Sequence, residues 1–329
     1  MKPIVLIFTL ILFVLLLLNP VISDAKLFKR KTVLMGTDVE IIVSASDEAA
    51  VNAAIDTAVM EIKSIEGEMS EWGAGSTVSI INEKAGKGPV KVSDRLFNVI
   101  STAQKISDMS GGAFDISWAA MRGLWNFTNG KEHIPLPDKV QERLKLVNYR
   151  DIILDKTGKT IFLKREGMAM GLGGIAKGYA VDMAMQALVN HGFKNAIIKA
   201  GGDIRVQGTK EGRPWKVSIK HPRDKNKLLG RLSLSNISIS TSGDYERFFI
   251  KDGIRYHHIM DPKTGYPAQG CQSVTILAPD TMTSDLLSTT VFVLGPEVGM
   301  KLIKRLPGIE GIIVDNKGDV HYSSGIRGL

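Results

Sequence analysis

Four residues, two short stretches apart, offer the clearest chemistry in this chain. Asp285 and Thr289 stand four apart in Thr283-Ser-Asp-Leu-Leu-Ser-Thr-Thr290, so on a helix both oxygens leave from one face. Hard oxygens of this kind suit Mg²⁺, which takes one or two protein ligands and fills its shell with phosphate and water. A plainer reading stands beside it, with Ser284 or Asp285 capping a helix and Thr289 packed against its neighbours. The pair becomes a metal site only when a phosphate and another oxygen join it. His258 lies three residues ahead of Asp261, and an imidazole beside a carboxylate is a common general base. The turn composition Asp261-Pro-Lys-Thr-Gly265 is equally consistent with a plain hairpin turn.

Phosphate chemistry also has a candidate receiver. The run Gly171-Leu-Gly-Gly-Ile-Ala-Lys-Gly-Tyr-Ala-Val-Asp182 sets glycines directly ahead of a helix. Free backbone N–H groups and the helix dipole there can hold an anion, and Lys177 adds a positive charge. It is not a Walker A loop, because Ala176 and Gly178 occupy positions that need Gly and Ser or Thr. Gly171, Gly173 and Ala176 satisfy a bare G-x-G-x-x-A pattern, but the position 20 beyond Ala176 is Ala196 rather than an acidic ribose ligand. Glycines that merely let helices pack closely remain an alternative. Gly111-Gly-Ala-Phe-Asp115, with Trp118, Trp125 and Phe127, combines a carboxylate with flat apolar rings, suited either to a ring ligand or to an ordinary core. The stretch from Glu71-Trp72 through Ser76 to Asn82 has the same double character.

The elements that must position these residues can be read from periodicity. Val39 to Val43 reads as a strand, and Asp47 caps a helix running through Ala50, Ala54, Ile55, Ala58 and Ile62 to Ile65. A second helix spans Asp94 to Met109. A hairpin joins Ile152–Leu154 to Thr160–Leu163. A further helix runs from about Ile175 to Asn190 and ends at His191-Gly192. The second half reads as short strands and turns, with one strand-turn-strand unit across Thr241–Phe248 and Tyr256–Gly265. Helices follow near Ser284 to Val293 and after Pro296. Without strict βαβ repetition the fold class is α/β of an irregular kind, or α+β.

With 329 residues, 44% hydrophobic and 23% charged, the chain can bury a large core. Its net charge of +8 points to an anionic partner. The basic residues are dispersed, which disfavours nucleic acid and favours a phosphorylated small molecule. The single Cys271 excludes an internal disulfide framework and a multi-cysteine zinc site, and is read as a small buried side chain. Lys2 followed by an apolar run from Ile4 to Leu18 and by Asn19-Pro20 reads as a secretory signal, with Ser23 and Ala25 placing a cut before Lys26. An uncleaved membrane anchor is the alternative. Either way residues 26–329 form one unit on the outer face of the cytoplasmic membrane or in the periplasm, and no second apolar stretch of spanning length is expected.

Taken together the segments resemble the ApbE family of FAD:protein FMN transferases. The matching elements are Met35-Gly-Thr37, Met69-Ser70 through Asn82, Gly111–Asp115 with Trp125, Leu172–Asp182, Ala200-Gly-Gly-Asp203, Thr241–Tyr245, His258-Ile-Met-Asp-Pro-Lys-Thr-Gly265, and Asp285 to Thr289. The resemblance implies a two-lobed fold with FAD in the cleft between lobes and Mg²⁺ bridging its phosphates. Gly174 by its carbonyl, with Asp285 and Thr289 by side chain, would then hold the metal. Met35, Trp72, Ala113, Phe114, Asp115, Lys177 and Ile259 would contact FAD, and His258 would assist proton transfer. The implied reaction moves FMN to a Thr or Ser hydroxyl of an acceptor flavoprotein and releases AMP. An FAD pyrophosphatase and a non-catalytic exported FAD-binding protein are the alternatives. One departure stands out: the family's glycine-rich motif usually begins with Asp, and here that position is Gly171.

Overall fold

The structure, a computed structural model, describes residues 26–128 and 130–328. The proposed export segment, 1–25, lies outside the described residues. Nine-residue strands β1 (Lys26–Leu34) and β2 (Thr37–Ala45) pair in a tight hairpin. They continue into an eight-stranded sheet with β6 (Ala196–Ala200), β7 (Asp203–Gln207), β10 (Ile237–Gly243), β13 (Cys271–Ala278), β14 (Glu310–Asp315) and β15 (Val320–Tyr322), in the order β1-β2-β6-β7-β10-β13-β14-β15. Every neighbouring pair is antiparallel. The fold is therefore the α+β half of the expectation, and an antiparallel sheet has no place for a parallel dinucleotide-binding βαβ unit.

Three helices cover one face of this sheet: α1 (Glu48–Met69), α5 (Ala176–Asn190) and α6 (Thr281–Arg305). They lie side by side, α1 over β1 and β2, α5 over β6 and β7, and α6 over β10, β13 and β14. The other face is covered by the hairpin of β8 (Trp215–Lys220) and β9 (Leu228–Leu234), whose Trp215, Val217, Ile219, Leu232 and Leu234 pack on Ile197, Val206, Ile239, Leu277 and Ile312. Strand alternation does the sorting. Ile198, Ile276 and Ile313 face the helices, while their neighbours Ile197, Leu277 and Ile312 face the hairpin. Covered on both sides, β13 is buried at all eight positions.

A smaller assembly extends the helical side. Helices α2 (Thr77–Glu83) and α3 (Asp94–Met109) pack with the three-stranded sheet of β3 (Val90–Lys91), β4 (Ile152–Asp155) and β5 (Thr160–Leu163). Val78, Ile81, Leu96, Ile100, Ile161 and Leu163 join the same buried cluster as the large sheet's core, so the two assemblies share one interior. Helix α4 (Pro137–Leu144) follows a 3₁₀ turn over Ile116–Met121. A two-stranded hairpin, β11 (Phe248–Lys251) with β12 (Ile254–His257), stands apart from the large sheet.

Most sequence expectations hold. Asp47 caps α1 by accepting from the Ala50 amide at 3.0 Å, and α3 has the bounds expected. Cys271 is buried and free, its thiol pushed up to about 12 by burial. Two expectations need correction. Thr241–Phe248 and Tyr256–Gly265 do not form one unit: Thr241 to Gly243 finish β10 inside the large sheet, while Phe248 pairs with His257 and residues 258–265 turn away. A second apolar stretch of spanning length does exist, because α6 has 25 residues and a mean hydropathy of 1.4 over an 18-residue window. Its apolar residues are those of a core helix, with Leu286, Leu287, Val291 and Phe292 buried, and Gly295 at φ 77° breaks it before Pro296.

Candidate active site

The functional residues gather at one end of the large sheet because two turns meet there. Met35 and Gly36, at φ 53° and 68°, form the two-residue β1–β2 turn, and the Met35 amide donates to Glu66 Oε1 at 2.8 Å. Positive φ at both central positions is what a type I′ hairpin demands, and a methionine there stores strain. Gly201 and Gly202 form the β6–β7 turn; a Cβ on Gly201 would meet Thr37 Oγ1 at 2.7 Å, and one on Gly202 would meet the Thr241 carbonyl at 2.6 Å. Only glycines let these turns lie so close.

Helices α5 and α6 begin at the same end and are clamped together. The Asp182 carboxylate on α5 accepts from the Thr281 and Met282 amides at the start of α6, both at 2.8 Å. Asp280 caps α6 by accepting from the Thr283 amide at 2.8 Å. A ladder of buried hydroxyls then fixes α6 on β10: Ser238 with Thr281, Ser240 with Ser284 and Ser242 with Ser288, at 2.8, 2.8 and 2.7 Å. Two residues along a strand advance about as far as three or four along a helix, so each Ser, at every second residue of β10, finds a partner one turn on.

That alignment decides where the polar centre sits. Asp285 Oδ2 accepts from the Gly178 amide at 3.0 Å, and Lys177 Nζ lies 3.4 Å from Asp285 Oδ2 and 3.0 Å from Asp203 Oδ2. Asp203 opens β7 directly after the Gly201-Gly202 turn. Burial works against the Lys177 ammonium, but the two carboxylates outweigh it and hold its pKa well above the ordinary lysine range. Burial first, then the like charge of Asp203, push Asp285 up, against the pull of Lys177 and the Gly178 amide. One turn further on, Thr289 Oγ1 lies 3.2 Å from Ser242 Oγ. A Cβ on Gly174 would stand 3.4 Å from Thr289 Oγ1 and 3.0 Å from the Phe114 ring. Gly174, Lys177, Asp285, Thr289 and Phe114 thus converge, although they come from three separate parts of the chain.

His258 joins this centre in a different state from the one its sequence neighbours imply. Its amide donates to the Arg247 carbonyl at 3.1 Å, and its Nδ1 is buried without a protein partner among the described residues. Burial, followed by the positive charges of Arg247, His257 and Lys177, lowers its pKa to about 4. Asp261 is not its carboxylate partner: that side chain accepts from the Lys263 amide at 2.9 Å and builds its own turn. The imidazole is therefore neutral at physiological pH. The adjoining Ile259 is buried, its amide facing His257 Nδ1 at 3.3 Å.

The aromatic segments frame the opposite side. Ala113, Phe114 and Asp115 are buried. Asp115 caps the 3₁₀ turn, accepting from the Ser117 amide at 2.8 Å, the Ser117 hydroxyl at 2.6 Å and the Tyr149 amide at 2.9 Å. Its carboxylate is fully engaged in holding this loop, with its pKa raised by burial. Trp125 donates from its indole to the Gly265 carbonyl at 3.0 Å and ties the Asp261–Gly265 turn to the same wall. Trp72 is 72% exposed, with the Arg122 guanidinium 4.6 Å over its ring. Two hollows of about 410 and 310 Å³ lie to the sides. The first borders β11 and the second the Gly111-Gly112 loop, and neither is lined by Lys177, His258, Asp285 or Thr289. The convergent chemistry rather than hollow size marks the site.

The donor set fits a hard divalent cation. Among the described residues no three His, Cys, Asp or Glu side chains cluster at metal-binding spacing, which disfavours a closed transition-metal cage. One carboxylate and one hydroxyl on α6, close against the Gly174 backbone, form an incomplete oxygen set of the kind Mg²⁺ completes with phosphate and water.

The sequence profile of the ApbE family matches residues 35–313. The chain belongs to the ApbE family. Among its curated relatives, a protein of Klebsiella pneumoniae strain 342 named FAD:protein FMN transferase is 33% identical, over 92% of this chain and 93% of its own length. One of the same name from Treponema pallidum strain Nichols is 33% identical, over 91% and 87%. Among solved structures, the ApbE protein of Thermotoga maritima superposes with a TM-score of 0.85 at 33% identity, covering 92% of this chain and 98% of that one. The flavin transferase ApbE from Vibrio cholerae gives 0.82 at 26% identity, covering 93% and 99%.

As a member of the ApbE family the chain shows what its motifs build. Asp203, Ser242 and Arg247 belong to the centre and were not singled out as site residues from sequence. Asp203 and Ser242 carried a signal, since they lie in the Ala200-Gly-Gly-Asp203 and Thr241–Tyr245 matches; Arg247 carried none beyond its place in the Thr241–Phe248 run.

Proposed function

We propose that this ApbE-family chain is an FAD:protein FMN transferase that uses Mg²⁺ to move FMN from FAD to a Thr or Ser hydroxyl of an acceptor flavoprotein. One observation carries the reading: the start of α5, with Lys177, meets the Asp285–Thr289 face of α6 beside Gly174. A diphosphate entering that junction would find backbone N–H groups, an ammonium and metal ligands together.

In the reaction the acceptor oxygen forms a bond to the FMN-side phosphorus, the bridging P–O bond breaks, and its electron pair leaves with AMP. Gly174, Asp285 and Thr289 would hold Mg²⁺, which supplies charge neutralisation at the phosphates when bound. Lys177, held between Asp203 and Asp285, adds a fixed positive charge. His258 is neutral and has a free buried nitrogen, so it can take the acceptor's proton. A pKa of about 4 makes it a weak base alone; the anionic diphosphate would offset its cationic neighbours and bring it nearer neutrality, where general bases work best. Met35, Trp72, Ala113, Phe114, Asp115 and Ile259 form the surrounding wall read as FAD-contacting, Asp115 by bracing it.

The test is mass spectrometry of a Thr/Ser-containing acceptor after incubation with enzyme, FAD and Mg²⁺. One covalent FMN per acceptor, with AMP released, supports transfer. Free FMN and AMP with an unmodified acceptor identify a pyrophosphatase, and intact FAD a binding protein. Export belongs to the same reading: mature protein beginning at Lys26 in the periplasm, or full-length protein on the outer face of the cytoplasmic membrane, is expected, and full-length cytoplasmic protein would contradict it.

A further inference from the structure

Gly171, where the ApbE resemblance leads to the expectation of Asp, has a physical counterpart in this structure. A Cβ on Gly171 would stand 2.9 Å from Glu71 Oε1, 3.3 Å from Glu71 Cδ and 3.2 Å from the Ala119 methyl. The space that a side chain at position 171 would enter already holds a carboxylate, delivered from the opposite wall. Glu71 is half-buried, and among the described residues its carboxylate has no hydrogen-bond or ion-pair partner. Its backbone is fixed, since its carbonyl accepts from Arg122 Nη1 at 2.8 Å, and Arg122 in turn covers Trp72. The Gly171 amide donates to the Ile116 carbonyl at 2.8 Å, which pins the other side of the contact. Three residues beyond Gly171, a Cβ on Gly174 would meet Phe114 and Thr289. A half-buried carboxylate on a fixed backbone, without a protein donor among the described residues and set against Gly171, is free to accept from a ligand.

We propose that Glu71 supplies the carboxylate that the family carries at the position of Gly171, and that it accepts the imide N–H of the FAD ring. This rests on the reading of the chain as an FAD-using transferase. The oxidised flavin ring offers one N–H donor; its other polar atoms are acceptors that a carboxylate repels. Trp72 follows Glu71 in the chain, and the Phe114 ring lies against the Gly174 position three residues beyond Gly171; aromatic surface of this kind suits the ring end of FAD rather than its phosphates. The exchange of Asp at 171 for Glu at 71 keeps one negative charge in the same space. It also explains why glycine is required here: a carboxylate from each side would crowd two like charges together.

The experiment measures FAD affinity by flavin fluorescence with the metal chelated, so that no turnover occurs. Glu71→Ala should weaken FAD binding about 10- to 100-fold, the span of a hydrogen bond to a charged group, and Glu71→Gln should weaken it less. Wild-type protein should discriminate similarly against FAD methylated at the imide nitrogen, whereas Glu71→Ala should bind the two flavins equally. Gly171→Asp alone should bind poorly, and Glu71→Ala with Gly171→Asp should recover to within a few-fold of wild type. Equal loss of FAD and methylated FAD in Glu71→Ala overturns the proposal, as does unchanged affinity in both Glu71 variants. Wild-type protein that binds no FAD at all overturns the transferase reading and this one with it.

Discussion

The Gly178 amide and the Asp285 carboxylate, 3.0 Å apart, set the distance between the starts of α5 and α6. A Cβ on Gly178 would stand 2.8 Å from Asp285 Cβ and would be driven into the Thr281 carbonyl. The helices can approach only because residue 178 has no side chain, and Lys177 reaches Asp285 only because they approach.

Gly178→Ala should therefore cost about 1–3 kcal/mol by overpacking and weaken Mg²⁺ binding as the junction opens. Gly173→Ala, whose Cβ would meet nothing within 4 Å, is the control and should melt within a few degrees of wild type. Thermal denaturation with and without Mg²⁺ measures both. Equal melting temperatures for the two variants would remove the packing argument.

Mg²⁺ affinity should depend on pH through Asp285, whose carboxyl burial and then Asp203 push up from the usual range. The metal takes the ionised carboxylate, so affinity should fall about tenfold per unit as pH drops below the Asp285 pKa and level off above it. Calorimetric titration between about pH 5 and about pH 8 reads this. Asp285→Asn should bind Mg²⁺ weakly and with no such slope, and should lose metal-dependent transfer; full activity would remove the metal assignment.

The His258 imidazole should titrate near pH 4 in the ligand-free protein and at higher pH once FAD is bound. Its folded pKa lies below the unfolded value of about 6.5, so as pH falls from the unfolded value towards the folded one the unfolded state takes up the extra proton and native stability declines. NMR titration of the imidazole follows both states. A value that stays put on FAD binding would mean that the diphosphate lies elsewhere.

Met35 carries its side chain at φ 53°, a conformation that glycine adopts without strain. Met35→Gly should raise stability by up to about 1 kcal/mol while weakening FAD binding, because strain of this kind persists where a side chain is needed. Melting temperature and FAD affinity should move in opposite senses. A variant that gains stability and keeps its affinity would take Met35 out of the flavin wall.

Local elements were legible because local rules make them. Asp47 ahead of an apolar period and Gly295-Pro296 within another announce a capped helix and a broken one whatever lies around them. The glycine run before α5 was legible for the same reason, and the ApbE resemblance collected such segments in order. The relation of His258 to Asp261 was misread because three residues of separation do not make contact once a turn consumes the carboxylate.

By itself the sequence determined the Asp47 cap, the glycine and proline turns, the alternating strands and the identity of the oxygen and nitrogen groups that could serve a phosphate, whereas the cap of α6 is Asp280 rather than Ser284 or Asp285. Tertiary structure alone decided that Asp203 shares Lys177 with Asp285, that burial and then cationic neighbours depress His258, and that Glu71 fills the space beside Gly171. The reason is range. Backbone propensity acts over a few residues, whereas charge, desolvation and excluded volume act across whatever the folded sheet and helices bring together.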